Sequence, residues 1–161
     1  TDRGMIRIGD AVAADEEAFR ALWDQYLAFY KVDLASEVTA ATWARLMDPA
    51  SPVKARLAEA DGQVAAFAIH LHHPSTWVAT EDCYLEDLFV DPAQRGKGYG
   101  KALLKRLAEI AVERGCGRLE WSVLDWNKPS IDFYLSLGAK PMDEWTIYRL
   151  EGDSLTGLAR S

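Results

Sequence analysis

The sequence is poor in cysteines, long apolar runs and basic residues, and each shortage excludes a class of protein. The two cysteines, Cys83 and Cys116, are too few for a disulfide framework and lack the spacing of a metal motif, so we expect both to be reduced. The longest charge-free stretch, residues 62–80, contains three histidines and a proline, which exclude a lipid-spanning helix. The N-terminal region lacks the apolar block of a secretory signal, and we therefore expect a cytoplasmic protein without a membrane partner.

Acidic residues outnumber basic residues in the chain. Twenty-five Asp and Glu against 18 Lys and Arg give a net charge of −7. A field of this sign repels phosphate backbones, so we expect no nucleic-acid partner, whereas a cationic small molecule suits the charge. Hydrophobic residues make up 49% of the 161 residues, as in ordinary globular proteins.

Hydrophobic periodicity predicts an alternation of strands and helices. Predicted strands cover residues 6–8, 53–60, 63–71, 83–90, 119–124 and 145–150, and predicted helices cover residues 16–30, 39–47, 99–114 and 129–137. Asp61-Gly62 is a favoured turn for an antiparallel hairpin. The order of elements indicates the α+β class, or mixed α/β, with a largely antiparallel sheet. We expect a single domain over residues 5–150, preceded by an extraneous remnant at residues 1–4 and followed by a tail at residues 151–161.

The most informative stretch is QRGKGYG, residues 94–100, which stands between a predicted buried strand and a long helix. Glycines let the backbone bend, and the free amides at a helix start favour phosphate oxygens. Arg95, Lys97 and Lys101 add local positive charge. The glycine spacing matches neither a Walker loop nor a dinucleotide fingerprint, and the alternative interpretation is a basic surface turn.

This stretch resembles the Arg/Gln-x-x-Gly-x-Gly/Ala acyl-CoA loop of the GNAT N-acetyltransferases, with Arg95, Gly98 and Gly100 in the fixed positions. The flanking segments YLEDLFV, residues 84–90, and WNKPSIDFY, residues 126–134, are similar to the diamine (polyamine) acetyltransferase branch. The resemblance implies the GNAT fold, a mostly antiparallel sheet of six to seven strands flanked by about four helices. It also implies acetyl-CoA (coenzyme A) as the cofactor and a homodimer, for which residues 145–150 and the tail are the candidate surface.

The resemblance implies cofactor contacts on the central strand, the glycine loop and the helix that follows residue 127. These positions are Leu88, Phe89, Val90, Arg95, Gly96, Lys97, Gly98, Tyr99, Gly100, Lys101, Asn127, Ser130 and Tyr134. Tyr134 matches the general-acid tyrosine of the family, which protonates the leaving thiolate. An ordinary packing residue is the alternative for Tyr134, and capping of the helix start is the alternative for Asn127 and Ser130.

Acetyl transfer to an alkylamine requires removal of a proton. An amine with a pKa of ~10.4 is only about one part in a thousand neutral near pH 7. Glu86 is our candidate base, directly or through water, and the resemblance implies the same role. The alternative is a structural carboxylate with a charged neighbour. Asp87 is the second candidate, because strand alternation directs it to the opposite face unless a bulge intervenes.

An acidic and aromatic set suits binding of the ammonium group of the acceptor. The candidates for this pocket are Tyr30, Asp33, Trp77, Glu86 and Asp87. Helix packing for Tyr30, a solvated acid for Asp33 and a surface or dimer contact for Trp77 are the alternatives. His70 and His72 share a strand face, but no third ligand is evident, so no metal site is predicted.

These observations predict an acetyl-CoA-dependent enzyme that transfers acetyl directly to a primary amine of a polyamine, an amino acid or a protein. Direct transfer is expected because neither cysteine has an evident activating partner. The alternatives are a catalytically silent acyl-CoA sensor and, least supported by the charge, a nucleic-acid reader.

Overall fold

The computed structural model describes residues 4–161, which form two compact units. The first unit extends to Ser122 and contains β1 (Arg7–Asp10), α1 (Glu16–Phe29), α2 (Ser36–Met47), β2 (Lys54–Ala60), β3 (Gln63–Pro74), β4 (Glu81–Val90), α3 (Tyr99–Glu113) and β5 (Leu119–Glu120). The second unit, Val123–Ser161, contains α4 (Lys128–Ser136) and α5 (Gly152–Ala159). Within residues 4–161, no helix is both long enough and apolar enough to cross a membrane.

The sheet has the order β1-β2-β3-β4-β5. The first three pairings are antiparallel, and β5 alone runs parallel to its neighbour β4. The tight turn between β2 and β3 places Asp61 at φ 53° and Gly62 at φ 77°, and two positive φ angles in succession define the turn type that matches strand twist. The predicted hairpin and the largely antiparallel sheet are therefore confirmed.

An aromatic cluster joins α1 and α2 to one face of the sheet. Its buried members are Phe19, Leu22, Trp23, Trp43, Leu46, Ala55, Leu57, Phe67, Ile69 and Phe89. Phe67 lies at the centre, with its ring centroid 5.2 Å from that of Phe19 and 5.9 Å from that of Trp23. Ala66 and Ala68 alternate with Phe67 along β3 and are also buried, on the opposite face. Helix α3 contacts the sheet and buries Leu103 and Leu107 outside the aromatic cluster, so both faces are covered.

The five strands and five α-helices of the described chain differ from the predicted six to seven strands and about four helices. Residues 145–150 form no strand, and Ile147 and Tyr148 are 78% and 92% exposed. A strand requires backbone donors and acceptors on a neighbouring strand, and Val123–Ser161 contains none. The predicted strand at residues 119–124 is only two residues long, whereas the tail folds into α5 despite its weak periodicity.

Candidate active site

Strand β4 carries a β-bulge at Glu86. Leu85 pairs with His70 and Asp87 pairs with Ile69, so Glu86 has no partner on β3. Such an extra residue bends the strand, increases its twist and redirects the side chains around it. The Glu86 side chain is exposed. The bulge is the exception that the sequence analysis left open for the orientation of the two acids.

Within the first unit, the C-terminal half of β4 has β3 on one side and no strand on the other. Strand β5 pairs only with Cys83 and Tyr84, so within the first unit residues 85–90 have no strand on that side. Backbone groups on this edge are left for a ligand or another partner. Three of the expected cofactor contacts lie here, at Leu88, Phe89 and Val90. The Phe89 side chain belongs to the aromatic cluster, which leaves only its main chain for a ligand.

Asp87 lies on the face of the sheet that α1 covers. Its Oδ1 accepts a hydrogen bond of 2.7 Å from the hydroxyl of Tyr26. Burial raises the pKa of Asp87, the Tyr26 hydrogen bond partly opposes this, and the negative charge of Glu86 adds to the increase. A carboxyl group with a perturbed pKa is typical of functional sites. This role of Tyr26 is not visible in the sequence, because its position in the apolar stripe of α1 indicates only packing.

The structure brings together part of the predicted ammonium pocket. The Tyr30 ring lies edge-on to Tyr26, with centroids 4.9 Å apart, which places it beside the residue bonded to Asp87. Asp33 is exposed in the connection between α1 and α2. Trp77 is 74% exposed in the connection between β3 and β4. That connection ends before Glu81, the first residue of β4. Five residues of strand, about 16 Å, separate Glu81 from Glu86. Trp77 therefore lies apart from Glu86 and Asp87.

Helix α3 begins at a glycine turn. Gly96 has φ 79° and Gly98 has φ 92°, and this left-handed region costs other residues roughly 1–2 kcal/mol. Gly98 is the N-cap of α3, and no side chain caps the helix start. The first amides of α3 therefore remain available to a ligand, and with the helix dipole they favour phosphate. The predicted succession of strand, glycine turn and helix is confirmed.

The side chains of the glycine loop differ in their surroundings. The Arg95 guanidinium carbon lies 5.7 Å from the ring centroid of Phe29 and 5.8 Å from that of Phe89. The Lys97 ammonium donates to Gln94 Oε1 at 2.9 Å. Tyr99 is buried, so its side chain supports the fold and only its amide is left for a cofactor. Gly100 and the exposed Lys101 complete the first turn of α3.

The remaining predicted site residues lie at α4, in the second unit. Asn127 is the N-cap of α4, and its Oδ1 accepts a hydrogen bond of 3.4 Å from the Ser130 amide. The capping role weighed for Asn127 is thus present. Ser130 and Tyr134 are one helical turn apart on the same face of α4, and both are half-buried. The Tyr134 ring centroid is 5.6 Å from that of Phe133.

The first unit thus combines two recognition elements within about fifteen residues of chain. One is an open strand edge with free backbone groups, which suits an extended chain that carries amides. The other is an uncapped helix start, which suits phosphate oxygens. The acids at the bulge, together with two tyrosine rings, suit a cation.

The sequence model of the "Acetyltransferase (GNAT) family" matches residues 16–139. The chain belongs to that family. It is 34% identical over 156 residues to a thialysine N-epsilon-acetyltransferase of Bos taurus, a match that covers 95% of this chain and 82% of the bovine protein.

Other relatives place the chain more narrowly. An L-ornithine N5-acetyltransferase of Arabidopsis thaliana is 41% identical over 98 residues, which cover 61% of this chain and 43% of that protein. An integron cassette protein from the mobile metagenome of V. cholerae has a solved structure with a TM-score of 0.81 and 30% identity, covering 97% of this chain and 98% of that one. The chain is a GNAT N-acetyltransferase similar to the thialysine and polyamine enzymes, as its resemblance to the diamine acetyltransferase branch predicted.

Proposed function

We propose that the protein transfers acetyl from acetyl-CoA directly to a primary amine of a small cationic molecule. The observation that carries the proposal is the open edge of β4 at residues 85–90, followed by the uncapped start of α3. Both are backbone features, and they suit a ligand with an amide-bearing arm and phosphates. The relatives named for thialysine and L-ornithine favour the side-chain amine of a basic amino acid as the acceptor. Polyamines and protein amines are the other candidates.

The cofactor contacts divide between main-chain and side-chain groups. Acetyl-CoA, when bound, supplies the activated acetyl group. Amides of residues 96–101 bind its phosphates, with the exposed Lys97 and Lys101 as counter-charges. Main-chain groups of Leu88 and Val90 orient the arm of the cofactor along β4. Ser130 and Asn127 at the start of α4 are the remaining proposed contacts.

The acids at the bulge bind the ammonium form of the acceptor and remove its proton. Asp87, held by Tyr26, and the ring of Tyr30 attract the ammonium form of the acceptor. Removing its proton near pH 7 costs roughly 4 kcal/mol, and Glu86 accepts that proton directly or through water. The new bond joins the amine nitrogen to the acetyl carbon, while the carbon–sulfur bond breaks. Tyr134 gives its proton to the leaving thiolate, and the second proton that the nitrogen loses on becoming an amide restores Tyr134, directly or through water.

The proposal is tested by thiol release from acetyl-CoA with lysine, ornithine, thialysine, spermidine, a D-amino acid and a histone-tail peptide. We expect amine-dependent release that is fastest with the basic amino acids. Glu86→Gln should lower kcat by about 10²–10⁴-fold, the usual contribution of a general base. Glu109→Gln, which changes an exposed acid on α3, is the matched control and should retain full activity.

Two further measurements separate catalysis from binding. Tyr134→Phe should lower kcat while calorimetry shows unchanged affinity for acetyl-CoA, as expected for a group that acts on the leaving thiolate. Tight acetyl-CoA binding without release on any amine would refute the transferase and favour the acyl-CoA sensor.

We also propose that the protein is a homodimer. Residues 145–150 expose Trp145, Ile147 and Tyr148 by 67%, 78% and 92%, more apolar surface than a short segment of a monomer usually presents. Sedimentation at micromolar concentration should show a dimer that Ile147→Asp dissociates. A monomeric wild-type protein would contradict this.

A further inference from the structure

Two histidines and a cysteine meet on one face of the sheet, opposite the face on which Asp87 pairs with Ile69. His70 and His72 alternate along β3, and Cys83 of β4 is the register partner of His72, so all three side chains share a face. One candidate ligand atom from each lies within 4.8 Å of the other two. The sequence shows no third ligand for the histidines, because Cys83 is brought to them by strand register and not by spacing in the chain.

A second cysteine contacts the cluster through His72. Cys116 follows α3, and its Sγ lies 3.5 Å from Nδ1 of His72. Ligand bonds of about 2.3 Å to sulfur and 2.05 Å to nitrogen at tetrahedral angles separate the two ligand atoms by about 3.6 Å. The observed distance therefore already matches a shared metal ion. Both cysteines are free thiols.

His70 is buried, and only one of its two ring nitrogens has a hydrogen-bond partner within the described residues. His70 is 1% exposed, and its Nδ1 has no hydrogen-bond partner within the described residues. Arg56 Nε donates to His70 Nε2 at 3.2 Å, so the proton of the neutral ring is on the unpartnered Nδ1. A buried polar atom without a partner is unusual in a folded protein. A metal ion on Nε2 would displace Arg56 directly. A metal ion on Nδ1 would move the ring proton to Nε2, which then no longer accepts from Arg56. In both cases Arg56 would retain its ion pair with Asp10.

We propose that His70, His72, Cys83 and Cys116 bind a zinc ion in a closed, four-ligand site. Two imidazoles and two thiolates form a common tetrahedral zinc set, and thiolates select against calcium and magnesium. Binding releases the thiol protons, and the two thiolates balance the charge of the ion. Four protein ligands leave no position for substrate, so the site is structural and ties β3 and β4 to the segment after α3. Cys83 and His70 are buried, while His72 and Cys116 are partly exposed and give the ion access.

The test uses the full chain, reduced with a non-chelating phosphine and freed of metal. Cobalt(II) is the first probe, because thiolate ligation gives a charge-transfer band and tetrahedral geometry gives intense visible bands. We expect saturation at one cobalt ion per chain and displacement by zinc. Absence of saturable binding, or cobalt bound without the thiolate band, would overturn the proposal.

Substitutions compare the zinc affinity of variants at the proposed ligands with that of a variant at the adjacent residue His73. Cys116→Ser, at a partly exposed position, and His72→Gln each remove one proposed ligand. Loss of a residue that only hydrogen-bonds a ligand already lowers metal affinity roughly 10–100-fold. Each variant should therefore lower the affinity for zinc by at least that factor. His73→Gln is the matched control, since His73 is exposed and its Nδ1 lies near its neighbour's carbonyl, 3.0 Å from Pro74 O. At one fixed zinc concentration, zinc should raise the melting temperature of wild type and His73→Gln by more than that of Cys116→Ser. Equal zinc affinity in all four proteins would overturn the proposal, whatever the acetyltransferase assay shows.

Discussion

The hydrogen bond between Tyr26 and Asp87 offers a sharp test of how the site is held. Tyr26→Phe removes the donor that contacts Asp87 Oδ1 at 2.7 Å and leaves the ring in place. A hydrogen bond to a charged group contributes about 1.5–3 kcal/mol, and this bond favours the ionised form of Asp87. Loss of the bond should therefore raise the pKa of Asp87 further.

The sign of the effect on stability follows from the direction of the pKa. Burial already raises the folded-state pKa of Asp87 above its ordinary value, so ionisation of Asp87 opposes folding. The free energy of unfolding should fall as pH rises from about 3.9, the ordinary aspartate pKa, through the folded pKa. In Tyr26→Phe this fall should extend to higher pH and be larger. If ionised Asp87 binds the amine, the acid limb of kcat/KM moves to higher pH as well.

Carboxyl NMR titration gives the pKa of Asp87 directly, and urea unfolding at several pH values gives the stability. Tyr84→Phe is the control, because Tyr84 also lies on β4 but its hydroxyl is 3.3 Å from Ser122 Oγ. An Asp87 pKa that stays constant or falls in Tyr26→Phe would refute the reasoning. An equal shift in Tyr84→Phe would do the same.

Three other substitutions probe the fold. Phe67→Ala should cost about 3–5 kcal/mol of unfolding free energy in urea, because it empties the centre of the aromatic cluster; a cost below about 1 kcal/mol would contradict that packing. Gly98→Ala should lower the free energy of unfolding by roughly 1–2 kcal/mol and weaken the binding of acetyl-CoA measured by calorimetry. Gly9→Ala is the control and should do neither, because apart from its chain neighbours no described atom lies within 4 Å of the added methyl. Gly117→Ala places a methyl 2.5 Å from Val78 Cγ1 and should lower the melting temperature. Val78→Ala in the same chain should restore only part of the loss, because Val78 Cβ stays 2.9 Å from the added methyl; no rescue would argue against this contact.

Local sequence signals predicted the elements that depend on nearby residues. The Asp61-Gly62 turn and the glycine start of α3 were both correct, because positive φ angles restrict the residue types that these turns accept. The family assignment followed from the same glycine loop and its flanks. Residues 145–150 failed as a strand because an apolar alternation specifies a face but supplies no hydrogen-bonding neighbour.

Features that depend on strand register could not be predicted from the sequence. The bulge at Glu86 arises from a shift between β3 and β4, and neither strand shows it alone. The meeting of His72 with Cys83 and Cys116 joins residues as far as 44 positions apart in the chain. The bond of Tyr26 to Asp87 spans 61 positions. In each case the residue types were visible, but their contacts depend on pairing and packing across the sheet.

The open edge at residues 85–90 also bears on the solubility of the protein. An unpaired strand edge is a template on which a second chain can add as a further strand. Charged side chains and a bulge that twists the strand are the usual devices that prevent such growth. Glu86 supplies both, as an exposed acid at the bulge, so replacing it with an apolar residue should favour aggregation even where the fold is retained.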